Sequence, residues 1–153
     1  MSEHFSRTKP RGLLAIRVLA MPANTNPSGD IFGGWLLSQM DVAGGTVAVA
    51  RAHGRVVTVA VDAMTFLKPV FVGDLVSVYA EVETIGRTSL RVHVQAWARR
   101  DRGDIEELVT EGTFTYVAID EDRRPRPVPV AGGGNAAAAA ALHALRATAV
   151  GSV

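Results

Sequence analysis

Residues 35–54 read WLLSQMDVAGGTVAVARAHG, and their pattern decides the fold. Trp35, Leu36, Met40, Ala43, Val47 and Ala50 recur at helical spacing. The other side of the same helix carries Leu37, Val42, Ala48 and Val49. A helix that is apolar nearly all round is a buried one. Gly44 and Gly45 each cost it about 1 kcal/mol relative to alanine, which makes sense if another backbone passes close by. His53-Gly54 supplies the stop. Asp41 breaks two local rules at once: an unpaired charge is expensive among apolar neighbours, and aspartate is a poor interior helix former. Residues that break local rules often do so for function. The alternatives are a narrow solvent-facing strip, or a buried partner such as Arg51, Ser38 or Thr46.

Immediately upstream, residues 23–34 read ANTNPSGDIFGG, a composition of turns and loops. They lead into the N-terminus of the buried helix, where backbone N–H groups are free and the helix dipole favours negative charge. Gly33 or Gly34 can there donate an N–H to a carbonyl oxygen as an oxyanion hole. An ordinary glycine loop entering a tightly packed helix is the competing reading. Asp41 lies eight residues beyond Gly33, so roughly 12 Å further along the axis at 1.5 Å per residue. That separation is too large for both to touch one carbonyl. If they act together, they come from two chains, with antiparallel helices meeting at a dimer interface.

The flanks of the helix are strands. Residues 13–20 are apolar and β-compatible. Residues 56–66 place Val57, Val59, Val61 and Ala63 on one face; residues 75–83 alternate Val76, Val78, Ala80 and Val82 with Ser77, Tyr79, Glu81 and Glu83; residues 88–99 alternate Leu90, Val92, Val94 and Ala96 with polar groups; a further strand covers about 107–119. Period-two alternation implies a sheet with one buried face, and the short links favour antiparallel pairing. The expected fold is α+β, an antiparallel sheet of about five strands curled around one long helix. Tyr79, Trp97 and Tyr116 are expected on the outer face, covered in part by other subunits. Residues 1–11 read as a disordered arm, 12–130 as the domain, and 131–153 as a glycine- and alanine-rich tail, flexible or partly helical from Asn135.

Bulk properties exclude several function classes. The chain has 153 residues, 48% apolar and 20% charged, with net charge +1, so no overall field draws nucleic acid or anionic lipid. Without cysteine there is no disulfide, thiolate metal site or cysteine nucleophile. The start MSEHFSRTKPRG lacks the apolar core of a signal peptide, and no apolar run is long enough to span a bilayer. A cytoplasmic protein with neither membrane nor nucleic-acid partner is expected. No G-x-S-x-G elbow, Walker A motif or dinucleotide fingerprint is present, and His4, His53, His93 and His143 are scattered without metal-ligand spacing.

Long stretches of the chain resemble a known family. MPANTNPSGDIFGGWLLSQMDVAGG, AHGRVVTVAVDAMTFLKPVFVGDLV, GRTSLRVHVQAWARR and TFTYVAIDEDRRPRPVP are similar to the YciA-like acyl-CoA thioesterases of the hotdog superfamily, over roughly residues 12–129. The resemblance implies a long central helix wrapped by an antiparallel sheet, and dimers that assemble further into hexamers, as trimers of dimers. It implies hydrolysis of acyl-CoA to a free acid and CoA with no added cofactor. The family's catalytic aspartate, in S-Q-M-D, falls on Asp41. The position before x-x-G-G, Asn or Asp in relatives, is here Asp30. An ionised Asp30 cannot donate to a thioester oxygen, so it is expected to organise the loop or hold a water. Arg55, Lys68 and the turn carrying Arg87, Thr88 and Ser89 are the candidates for binding CoA, and the resemblance supports the turn. Val57 and Phe66 are candidates for the acyl channel, with core packing as the equal alternative. Hotdog domains also serve as hydratases and acyl-CoA-binding regulators. A hydratase would need a histidine beside its aspartate, and a regulator a DNA-binding segment before residue 12; neither is present.

Overall fold

The computed structural model describes residues 9–131. Five strands and one long helix follow one another: β1 (Leu13–Leu19), α1 (Gly33–Ala52), β2 (Val56–Phe66), β3 (Leu75–Ile85), β4 (Ser89–Arg99) and β5 (Glu106–Ala118). A short 3-10 turn, Pro22–Asn24, lies between β1 and α1. All strand pairs are antiparallel, in the order β1-β3-β4-β5-β2. The tail and most of the N-terminal arm fall outside the described residues. Arg11, at the end of that arm, is held: its N–H donates to Gln95 Oε1 at 2.9 Å and its guanidinium meets Glu81 at 3.1 Å.

α1 lies against one face of the sheet. Leu36, Met40, Ala43 and Ala48 pack there with Val76, Val78, Val92, Val94, Phe114 and Tyr116. The alternation expected for β3 and β4 is therefore the alternation observed, because one face of each strand meets the helix. Tyr116 departs from expectation. It points inward, and its ring stacks beside Phe114 at 6.4 Å. Trp97 does lie on the outer face, but the chain itself buries it, and its Nε1–H donates to Gln95 Oε1 at 3.3 Å. Tyr79 is half-buried on that face, donating to Glu106 at 3.3 Å.

Uncovered apolar surface gathers elsewhere. Val42 and Val49 on α1 and Val59 and Val61 on the edge strand β2 are all exposed. β2 also breaks the expected alternation. Its pairing with β5 slips between Thr58 and Ala60 and again between Asp62 and Thr65. Ala63, at the second slip, is left-handed with φ 49°. Each extra residue re-phases the strand. Thr58 and Val61 pair with Tyr116 and Phe114, whose side chains are in the core, while Val57 pairs with Val117. The four residues expected on one face are thus divided between two.

α1 ends where expected. His53 adopts the left-handed conformation, φ 53°, and its N–H donates to Val49 O. Arg126 caps the final turn, donating from Nη2 to Ala52 O at 2.9 Å, and Arg51 donates to Pro129 O at 2.7 Å. Cations are favoured at this end of a helix. The proline-rich segment after β5 is thereby strapped to the helix C-terminus.

Candidate active site

Asp41 sits near the middle of α1, half-buried. None of its expected partners holds it. Ser38 Oγ donates to Trp35 O, Thr46 Oγ1 to Val42 O, and Arg51 reaches Pro129 instead. Serine and threonine inside helices commonly satisfy themselves on the preceding turn in this way. The partners come from the sheet. Thr58 Oγ1 donates to Asp41 Oδ1 at 2.7 Å, and the Tyr116 hydroxyl lies 3.1 Å from Oδ1 and 2.8 Å from Asp41 O. Oδ2 has no partner among the described residues. One carboxylate oxygen is therefore anchored and the other is available.

The Tyr116 hydroxyl reaches the helix because Gly44 has no side chain; a Cβ there would lie 2.5 Å from it. The helix glycine admits a side chain of β5, where another backbone had been expected. Burial raises the Tyr116 pKa, and the charge of Asp41 raises it further. The phenol stays protonated and serves as a donor to the carboxylate.

The helix N-terminus supplies the second element. Phe32 is the N-cap, with extended backbone, and no side chain caps the helix. Trp35 N and Leu36 N both donate to Phe32 O. The amides of Gly33 and Gly34 have no acceptor among the described residues, as the first N–H groups of a helix do when nothing caps them. The preceding loop is organised by Asn26, not Asp30. Asn26 Oδ1 accepts from Ser28 N at 3.0 Å and Asp30 N at 3.2 Å, and Asn26 N donates to Asp30 O. The Asp30 carboxylate is exposed and takes no part in the network. Asparagine in a Pro-Ser-Gly context was the available signal for such a side-chain turn.

The other candidates divide between two ends of the molecule. Arg55 O accepts from Ile119 N, Thr88 O from Ala118 N, and Arg87 O from Val128 N, so Arg55 and Arg87–Ser89 gather near the helix C-terminus. Lys68 follows the far end of β2 and pairs with Glu107 at 3.2 Å. β2 has 11 residues, which puts its ends roughly 33 Å apart. Phe66 closes against Gly33 and lines an apolar cleft with Ile31, Leu36, Lys68 and Val70. Val57 lies on the sheet face away from the helix and does not join Phe66. One chain therefore brings neither Asp41 to the glycine amides nor Lys68 to Arg55 and Arg87–Ser89.

The Thioesterase superfamily profile matches residues 28–104, a span that includes Gly33, Gly34, Asp41 and Thr58 but not Tyr116. The acyl-CoA thioester hydrolase YciA of Salmonella typhimurium (strain LT2) is 51% identical over 119 residues, covering 76% of this chain and 90% of that one. The hexameric thioesterase y2039 from Yersinia pestis superposes with TM-score 0.77 at 51% identity, covering 80% of this chain and 99% of that one. An acyl-CoA hydrolase from Staphylococcus aureus, solved with butyryl coenzyme A, coenzyme A and coenzyme A disulfide, superposes with TM-score 0.70 at 26% identity over 88% of each chain.

Proposed function

The chain belongs to the thioesterase superfamily and has the hotdog fold, and from that premise we propose that it hydrolyses acyl-CoA thioesters at a site two chains build together. The observation that carries the site is the anchoring of Asp41: Thr58 and Tyr116 fix Oδ1 and leave Oδ2 open. The amides of Gly33 and Gly34 supply the complement, two donors with no acceptor among the described residues. Val42 and Val59, next in sequence to Asp41 and to its partner Thr58, are exposed, as are Val49 of α1 and Val61 of β2, which supports burial of this region by a second copy. A trimer of such dimers agrees with the hexameric relatives.

In this reading the thioester carbonyl oxygen accepts from the glycine amides of one chain, which stabilise the charge that develops on it. Asp41 of the other chain either takes a proton from the attacking water or attacks the carbonyl carbon itself. In the first route the water oxygen bonds to carbon, the C–S bond breaks, and the proton held by Asp41 passes to the thiolate. In the second, an Asp41 oxygen bonds to the carbon as the C–S bond breaks, giving a mixed anhydride and the thiolate. Water then cleaves the anhydride, which releases the acid, restores the Asp41 carboxylate and frees the proton that the thiolate takes up. Thiolate leaves readily, so no strong acid is required and no cofactor enters. Arg55 and Arg87–Ser89 offer cationic and hydroxyl donors to the phosphates of CoA. The cysteine-free sequence suits a reducing cytoplasm; among the described residues no helix is long and apolar enough to cross a membrane.

Thiol release from a panel of acyl-CoA thioesters, comparing the wild type with Asp41→Ala, tests the assignment. Turnover is expected to fall by about a hundredfold or more, and unchanged turnover removes Asp41 from the chemistry. Single turnover in labelled water tests the second route, because label found in the Asp41 carboxylate requires that the side chain itself has attacked.

A further inference from the structure

The loop that carries the glycine amides is tied to the rest of the chain by one backbone bond to the β2–β3 connection: Ile31 N donates to Val70 O at 3.1 Å, and both residues are buried. Val70 in turn is held by a clamp of side chains. Arg100, just past the end of β4, donates from Nη2 to Pro69 O at 2.8 Å and from Nε to Asp74 Oδ2 at 3.1 Å. The same Asp74 oxygen accepts from Phe71 N at 2.9 Å, and the Arg100 guanidinium stacks over the Phe71 ring at 4.6 Å. Asp74 is 2% exposed, so its charge is costly without this partner. Gly73, with φ 91°, lets the chain turn back so that Asp74 faces its own loop. Three of these contacts thus fall on Pro69 and Phe71, the two neighbours of Val70, which carries the acceptor for Ile31.

We propose that Arg100 is a positioning residue for the thioester reaction, fixing the amides of Gly33 and Gly34 through Asp74, Pro69 and the Val70–Ile31 bond. The proposal rests on the reading that those amides hold the carbonyl oxygen. The planar fork is what matters: it satisfies a carboxylate and a carbonyl at once and stacks on an aromatic ring. A lysine at the same place keeps the charge opposite Asp74 and loses the second donor and the stack. Arg100→Lys should therefore preserve folding while loosening the loop, and a small misplacement of catalytic donors has a large effect on rate.

The test is a double-variant cycle with Gly33→Pro, which deletes one of the two amide donors. kcat for acyl-CoA hydrolysis is expected to fall about tenfold in Arg100→Lys, with KM within about twofold and the melting temperature nearly kept. On the Gly33→Pro background the same replacement should change kcat by less than about twofold, because residues acting through one another are not additive. An unchanged kcat in Arg100→Lys, or the same loss on both backgrounds, overturns the proposal while leaving the amide reading standing. A wild-type kcat in Gly33→Pro instead removes the amide reading, and the proposal with it. Where Arg100→Lys does not fold, Asp74→Asn takes its place in the cycle under the same criteria. It keeps an acceptor for Phe71 N and removes the charge that holds Arg100.

Discussion

Gly44 of the helix and Tyr116 of β5 share one space: the phenol hydroxyl occupies the volume a Cβ at position 44 would need. Tyr116 is 1% exposed, so its ring has nowhere to retreat. Gly44→Ala is expected to destabilise the fold by about 1–3 kcal/mol through overpacking, and to draw the hydroxyl away from Asp41. Denaturant unfolding and thiol release on the same preparation check both. A variant as stable and as active as the wild type would show that the ring moves freely.

Asp41 Oδ1 accepts from two hydroxyls, of which Thr58 is the closer at 2.7 Å. Thr58→Val keeps the shape and removes the donor. Hydrogen bonds to a charged group contribute about 1.5–3 kcal/mol, so kcat is expected to fall roughly tenfold with KM little changed. Tyr116→Phe should act in the same direction. If both replacements together leave kcat intact, the anchoring of Asp41 has no part in turnover.

The order of elements was legible because β3 and β4 alternate cleanly against one helix, and the helix ends at His53 as its sequence indicates. β2 was not legible. Its two slips depend on pairing with β5, and nothing local in VVTVAVDAMTF marks Ala63 for a left-handed conformation. Asp41 was visible as an anomaly, but its partners were not. Thr58 and Tyr116 stand 17 and 75 residues away in sequence, whereas the sequence offers only near neighbours for inspection. Gly44 was the one local trace of Tyr116, and it announced a close approach without saying of what.

Both tyrosines of the chain carry raised pKa values. For Tyr79 the main cause is burial and the next is the charge of Glu106; for Tyr116 they are burial and the charge of Asp41. A folded-state pKa above the unfolded value of about 10 means a stabilising contribution that is complete below that pH. It is lost as pH rises through the folded-state values. In the native protein, phenolate absorbance is expected to stay absent around pH 10 and to appear at higher pH, Tyr116 last. One tyrosine equivalent titrating at the free value in folded protein would contradict this.

Gly33 is the first residue of α1, behind an N-cap with extended backbone. Proline is favoured at that position, and its missing N–H breaks no helical bond. A Cβ there meets Phe66 only at 3.6 Å, ordinary contact. Gly33→Pro is therefore expected to fold normally while deleting one donor. Loss of an oxyanion donor costs about a hundredfold or more in kcat. Circular dichroism and turnover measured together decide the matter, and a fully active variant would move the oxyanion elsewhere.

The separation of Gly33 from Asp41 along one helix makes the strongest prediction. Neither Gly33→Pro nor Asp41→Ala chains are expected to turn over acyl-CoA well alone. When the two are unfolded together and refolded, half of randomly formed dimers are mixed. In a mixed dimer one site combines both damaged positions and the other combines both intact ones. Activity should recover to roughly a quarter of the wild-type value per chain, as two-fold symmetry requires. Were the carboxylate and the amides to act from the same chain, every site in the mixture would carry one lesion. The refolded mixture would then be no more active than its components.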